Sequence, residues 1–173
     1  MKLSIVATLY NSAPYLEEFC RRSKDSASKL VGDDYEIVLV NDGSPDESLE
    51  VAIRLFEEDA HIVIVDLSRN FGHHKAKMTG LSCSKGDCVF LIDSDLEEKP
   101  EWLLEFAEII KNKTFDVVYG VQKKRKGGLL EQVSGSVFYW LLNLFSNIHF
   151  PKNITTARLL TRRYVDALLL HRE

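Results

Sequence analysis

An α/β protein with a largely parallel sheet and helices on both faces is predicted by three features of the sequence. Five short runs rich in Val, Ile and Leu alternate with four helical patterns, the order that builds parallel sheets through right-handed crossovers. The runs read as strands covered on both faces. Four of them end in polar clusters, and in open sheets of this kind ligands bind beyond the carboxyl ends of the strands.

The strand-like runs are Leu3 to Thr8, Tyr35 to Val40, His61 to Leu67, Cys88 to Ile92 and Asp116 to Val121. Helical patterns occupy Ala13 to Val31, Pro45 to Asp59, His73 to Ser84 and Pro100 to Asn112, the last with proline near its first turn. The polar strand ends are Tyr10-Asn11, Asn41-Asp42-Gly43-Ser44, Ser68-Arg69-Asn70 and Asp93-Ser94-Asp95. After Val121 a basic loop, Lys123 to Gly128, precedes a helix-like stretch from Leu129 to about Asn147, with no charge between Glu131 and Lys152. Its apolar residues follow helical spacing, but its Ser, Asn and Gln content and its length argue against a membrane span. It reads as a core helix, or as a helix that rests on a membrane or frames a lipid, with Arg162-Arg163 beside it.

At 173 residues, 45% hydrophobic and 28% charged, the chain fits one soluble domain. Residues 1–120 and 121–173 differ in charge. The first carries 13 basic and 23 acidic side chains and the second 9 and 3, so the C-terminal third is basic. Such a patch attracts phosphates or an anionic membrane surface. Nucleic acid is not expected, because no nucleic-acid motif accompanies the charge. Cys20, Cys83 and Cys88 are odd in number and lack Cys-x-x-Cys spacing, which points to a reducing, cytoplasmic setting without a disulfide framework or zinc site. Met1-Lys2 leads straight into a strand, without the apolar stretch of a signal peptide.

Neither Gly-x-Gly-x-x-Gly nor a phosphate-binding Gly-x-x-x-x-Gly-Lys-Ser/Thr occurs, which sets aside dinucleotide oxidoreductases and P-loop enzymes. Asp93-Ser94-Asp95 instead puts two carboxylates where a buried strand surfaces. Magnesium and manganese are hard ions that reach substrate phosphates through one or two carboxylates, which Asp93, Asp95 and nearby Glu97 can supply. Asp42 stands at the end of the second strand, either in a nucleotide pocket or, with Asp46, shaping a turn and a helix N-terminus. Arg69 can pair with phosphate or balance the acidic cluster. His73 and His74 face different directions on a helix and read as solvated.

Together these segments resemble family 2 glycosyltransferases of the GT-A fold, most closely the polyprenyl-phosphate glycosyltransferases. The resemblance rests on Ala7-Thr8-Leu9-Tyr10-Asn11, Asn41-Asp42-Gly43-Ser44-Pro45-Asp46, Arg69-Asn70-Phe71-Gly72, Asp93-Ser94-Asp95-Leu96-Glu97, and Arg158-Leu159 before Arg162-Arg163. It implies that Tyr10, Asn11 and Asp42 cradle base and ribose, with Thr8, Leu9, Arg69 and Ser94 also lining the nucleotide-sugar site. Asp93 then lies near the ribose and metal, and Asp95 ligates the metal. Departures from the family pattern are Thr8 for Pro, Ser12 for Glu, Glu97 for a metal-coordinating Gln, Gln122 for Arg, and Thr156-Ala157-Arg158-Leu159 for Asp-Phe-Arg-Leu. Relatives also continue beyond the position of Glu173, so the resemblance implies a single catalytic domain over 1–173 that lacks its C-terminal part, with 1–120 the nucleotide-binding half and 121–173 the acceptor- or membrane-facing part.

The expected activity is inverting transfer of a sugar from a nucleoside diphosphate donor, UDP favoured over GDP, with Mg2+ or Mn2+. The expected acceptor is a polyprenyl phosphate at the cytoplasmic face of a membrane, in cell-envelope glycan synthesis. Asp95, Arg125 and Arg158 are the candidate catalytic residues, the arginines because a guanidinium fork matches phosphate geometry. A phosphate monoester, with a second pKa of roughly 6, needs no general base, and Gln132 to Val165 contains no Asp or Glu. The alternatives are transfer to a sugar hydroxyl in polysaccharide or lipopolysaccharide assembly, and a non-catalytic nucleotide-sugar-binding module. The apolar Leu129 to Phe150 segment is also compatible with a homodimer.

Overall fold

The computed structural model describes residues 2–112, 115–121 and 154–171. All five predicted strands form: β1 (Leu3–Leu9), β2 (Tyr35–Asn41), β3 (Ile62–Asp66), β4 (Cys88–Leu91) and β5 (Val117–Val121). So do the four predicted helices α1 (Ala13–Val31), α2 (Ser48–Glu58), α3 (His73–Cys83) and α4 (Trp102–Asn112). α2 starts later than Pro45 because the Asp46 carboxylate takes the Ser48 amide (3.2 Å) and hydroxyl ahead of the first turn. Two elements were not expected: β6 (Ile154–Thr161) and α5 (Arg162–Leu169), the latter capped by Thr161, whose Oγ1 accepts from Tyr164 N at 3.3 Å. The expected helix over residues 129–147 lies outside the described residues, as does Arg125.

The six strands lie in the order β3-β2-β1-β4-β6-β5. β1 pairs in parallel with both β2 and β4, and β2 with β3, whereas β6 runs antiparallel to β4 and β5. Side chains alternate across the sheet, so each strand feeds two cores. Leu3, Ile5, Ala7 and Leu9 of β1 pack with Leu16 and Phe19 of α1, Ala52 of α2 and Leu103 and Phe106 of α4. On the other face Val6, Val38 and Val40 meet Ala76 and Leu81 of α3, Leu160 of β6 and Val165 of α5. Each fully buried Leu, Ile or Phe contributes about 1.5–3 kcal/mol, so these two layers set the rigidity of the strand ends.

β1 has a partner on each side, and the chain leaves it in opposite directions, toward β2 and β3 and toward β4. The crevice beyond the carboxyl ends of β1 and β4 is therefore the topological switch point, where such sheets bind ligands. Among the described residues no helix is long and apolar enough to cross a membrane.

Candidate active site

Four loops converge on the switch point, and hydrogen bonds between them fix their spacing. Behind β1, Asn11 adopts φ 55°, a left-handed conformation that Asn tolerates better than most residues, and its amide donates to Ser44 Oγ at 2.8 Å. Ser12 N donates to Ser48 Oγ at 2.9 Å and Ala13 N to Asp46 Oδ2 at 3.1 Å. Asp46 is thus a scaffold that joins the starts of α1 and α2, one of the two roles its position suggested. Burial works against its charge, but hydrogen bonds from Ser44 and Ser48 prevail and hold its carboxyl below the usual range.

The loop after β2 is zipped to the loop after β3. Asp42 is 2% exposed, and its two carboxylate oxygens accept from Phe71 N (2.7 Å) and Gly72 N (3.1 Å). Gly43 has φ +61°, and a Cβ there would stand 2.5 Å from Asn70 N, so only glycine lets the two backbones approach. The Arg-Asn-Phe-Gly element therefore owes its shape to Asp42 and Gly43. Arg69 rests its guanidinium over the Phe71 ring, 4.6 Å from the centroid.

Behind β4, the Ser94 hydroxyl is buried and lies 2.9 Å from both Thr8 O and Ser12 Oγ, tying this loop to the one after β1. Leu96 adopts φ 60°, strained for a leucine, and its side chain packs against the core. That anchor leaves Asp95 and Glu97, on either side of it, exposed, with the Glu97 amide donating to Asp95 Oδ1 at 3.0 Å.

An open cavity of about 150 Å³ results, lined by Thr8, Tyr10, Ser12, His73, Asp93, Ser94 and Asp95. Five of the residues expected from sequence share it. Leu9 does not: its side chain is fully buried, and only its carbonyl faces the loops, accepting from Asp42 N at 3.1 Å. Arg158 lines a neighbouring cavity of about 280 Å³, where its guanidinium also donates to Thr156 O at 3.1 Å.

His73 is exposed, as expected, yet it also reaches the site. Its Nδ1 lies 3.1 Å from Thr8 Oγ1 and its Nε2 3.3 Å from Asp93 Oδ1. Burial, with Lys77 adding, lowers its pKa, and a neutral ring can accept the Thr8 hydroxyl at Nδ1; its approach to Asp93, like that of Lys77, is close but outside hydrogen-bond geometry. Lys77 Nζ is 3.0 Å from the same Asp93 oxygen, at an angle outside hydrogen-bond geometry. Burial lowers the Lys77 pKa as well, while Asp93 opposes that shift. His73 and Lys77 are four residues apart on α3 and so share one helix face, a spacing that marks the pair in the sequence. Glu98 also went unnoticed. It is buried and accepts from Thr156 N (2.8 Å) and Ala157 N (2.5 Å).

Arg162 is partly buried and Arg163 is exposed, and both are paired. Arg162 donates to Gly86 O (2.9 Å) and Ser84 O (2.9 Å), and Arg163 pairs with Asp116 at 2.7 Å. Among the described residues no three His, Cys, Asp or Glu side chains cluster to hold a metal by themselves. Magnesium commonly takes one or two carboxylates and completes its shell with water and substrate phosphates, so exposed Asp95 with Glu97 beside it is a fitting oxygen donor set.

The sequence model of glycosyl transferase family 2 matches residues 4–169, nearly the whole chain. The chain belongs to this family. A Mycobacterium tuberculosis protein described as a glycosyltransferase is 46% identical over the entire chain, which covers 50% of that relative. The undecaprenyl-phosphate 4-deoxy-4-formamido-L-arabinose transferase of Klebsiella pneumoniae is 32% identical over 97% of the chain and 51% of its own length. The chain thus spans about half the length of these relatives. The Pyrobaculum calidifontis mannosyltransferase PcManGT, solved with GDP-Man and Mn2+, superposes with a TM-score of 0.69 over 96% of the chain and 46% of its own, at 18% identity, a likeness of fold. Staphylococcus aureus TarS, solved with UDP-GlcNAc, matches at 25% identity with a TM-score of 0.58, over 74% of this chain and 37% of its own. The GT-A fold and the family expected from the residues both hold.

Proposed function

We propose that this family 2 chain carries the catalytic site of an inverting glycosyltransferase that moves a sugar from a nucleoside diphosphate to a polyprenyl phosphate. One observation carries the reading: Thr8, Tyr10, Asp93, Ser94 and Asp95 line one cavity at the switch point of the sheet. The Klebsiella pneumoniae relative, named for transfer to undecaprenyl phosphate, supports the acceptor class. UDP is the favoured donor nucleotide, with GDP the alternative.

In this reading Tyr10, half exposed at the rim, stacks on the base, while the loops fixed by Asp42 and Ser94 present backbone groups to the ribose. Asp95, with Glu97, holds a divalent cation whose chemistry is to offset the charge gathering on the departing diphosphate. Asp93 has Lys77 3.0 Å and His73 3.3 Å from one oxygen, so the Lys77 charge offsets its own before substrate arrives. A phosphate oxygen of the acceptor attacks the anomeric carbon as the bond to the donor diphosphate breaks, and the diphosphate leaves with the bonding electrons. No proton needs removal from a dianionic phosphate. That suits this site, because Asp93 and Asp95 are the carboxylates of the smaller cavity, the larger has none among its described lining, and both oxygens of nearby Glu98 serve backbone amides. Contact with a membrane surface would follow from a lipid acceptor.

The test is transfer itself: purified protein, undecaprenyl phosphate in detergent, Mg2+ or Mn2+, and a panel of UDP- and GDP-sugars, with the lipid product read by mass spectrometry. A glycosylated lipid phosphate of inverted anomeric configuration is expected. Transfer only to sugar hydroxyls would replace the acceptor class, and nucleotide binding without any turnover would make the chain a binding module.

A further inference from the structure

We infer that the larger cavity between α3, β4, β6 and α5 is the subsite for the phosphate and first isoprene units of the lipid acceptor. This inference rests on the reading just given and assigns a place in the fold to its second substrate. The cavity encloses about 280 Å³. Its walls are divided by chemistry: Met78, Leu81, Leu91, Leu160 and Leu168 form the apolar part, while His73, Lys77 and Arg158 supply cationic or donor groups. No carboxylate belongs to its described lining, and Asp93 offsets only one of these charges.

An ordinary apolar cavity would not gather two cations, and an ordinary phosphate site would not carry five apolar side chains. A molecule with an anionic head and a branched apolar tail satisfies both halves. Arg158 spends donors on the carbonyls of Thr156 and Thr155, at 3.1 and 3.4 Å, and a guanidinium has five, so N–H groups remain for a phosphate. The volume falls just short of the roughly 300–1,000 Å³ that encloses drug-sized ligands, so it takes the head-proximal part of a long lipid while the rest leaves through the mouth. His73 lines this cavity and the donor cavity alike, and Lys77 Nζ stands 3.0 Å from Asp93 on the donor side. A phosphate held by Lys77 and Arg158 would therefore lie next to the donor sugar, as a nucleophile must.

The experiment titrates the protein with farnesyl phosphate, with farnesol and with inorganic phosphate, by calorimetry, alongside UDP binding. Lys77→Met and Arg158→Gln should each weaken farnesyl phosphate about tenfold or more, the size of one lost hydrogen bond to a charged group, without changing farnesol. Met78→Trp, which fills the apolar part, should weaken farnesyl phosphate and farnesol together and leave UDP affinity and the melting temperature unchanged. Farnesyl phosphate that fails to bind the wild type, binds all three variants alike, or binds no tighter than inorganic phosphate would overturn the subsite. If Met78→Trp still glycosylates undecaprenyl phosphate at the wild-type rate, the subsite is elsewhere and the reaction stands. If the wild type binds farnesyl phosphate here but transfers to no lipid phosphate, the reaction fails and the subsite survives.

Discussion

Glu98 accepts hydrogen bonds from the consecutive amides of Thr156 (2.8 Å) and Ala157 (2.5 Å), so one buried carboxylate joins the loop after β4 to the strand that carries Arg158. Its burial raises its pKa despite these bonds, a sign that it is held for position rather than for charge. Glu98→Ala leaves two enclosed amides unpaired and should destabilise the fold by about 2–4 kcal/mol in urea denaturation. Glu98→Gln keeps one acceptor and should lose about half as much. Equal, small losses in both would remove the clamp from the account.

Gly43 and Asp42 shape the Arg-Asn-Phe-Gly loop from beneath. Gly43→Ala puts a methyl group 2.5 Å from Asn70 N at a positive φ, and should cost at least about 1–3 kcal/mol. Amide exchange separates this from general destabilisation: the Phe71 and Gly72 amides, bonded to Asp42, should lose protection ahead of the β1 and β2 amides.

At the opposite end of the sheet, Asp59 bonds Lys24 Nζ (2.6 Å) and His61 Nδ1 (2.7 Å). Burial opposes its charge, yet hydrogen bonds from Lys24 and His61 prevail and hold its pKa at about 2, against an ordinary 3.8. A depressed acid contributes stability above its unfolded pKa and loses it as pH falls, here about 2 kcal/mol lost between roughly pH 4 and 2. The hydrogen bond to Asp59 raises the His61 pKa, so its contribution is full below 6.5 and fades as pH climbs through the folded value. Asp59→Asn should remove the acid slope from a plot of melting temperature against pH and reduce, without abolishing, the His61 slope, because Asp33 still lies 3.0 Å from His61 Nε2; nucleotide binding should stay intact because the site is at the other end of the sheet.

The parallel core was legible because β1 to β4 are short runs rich in Val, Ile and Leu and α1, α2 and α4 carry wide apolar faces. β6 was not, although Thr155, Ala157 and Leu159 are buried in the alternation of a strand; the segment drew notice for its family motif, and its antiparallel pairing depends on partners far along the chain. The acidic rim could be located from Asp93 and Asp95 at a strand end, and four of its neighbours in the cavity lie within a few residues of strand ends. What could not be seen was occupancy of the side chains: whether Asp42 faces ligand or backbone, and whether exposed His73 also meets Thr8, is decided by packing between loops 29 to 65 residues apart.

The most direct test of the central claim is calorimetric titration of UDP and GDP, with and without Mn2+, into the wild type and Asp95→Asn. One of the two nucleotides should bind the wild type at least about tenfold more tightly with Mn2+, and Asp95→Asn should bind it equally with and without the metal. A nucleotide affinity indifferent to Mn2+ in the wild type, or a metal dependence that survives in Asp95→Asn, would contradict a diphosphate site built on this rim.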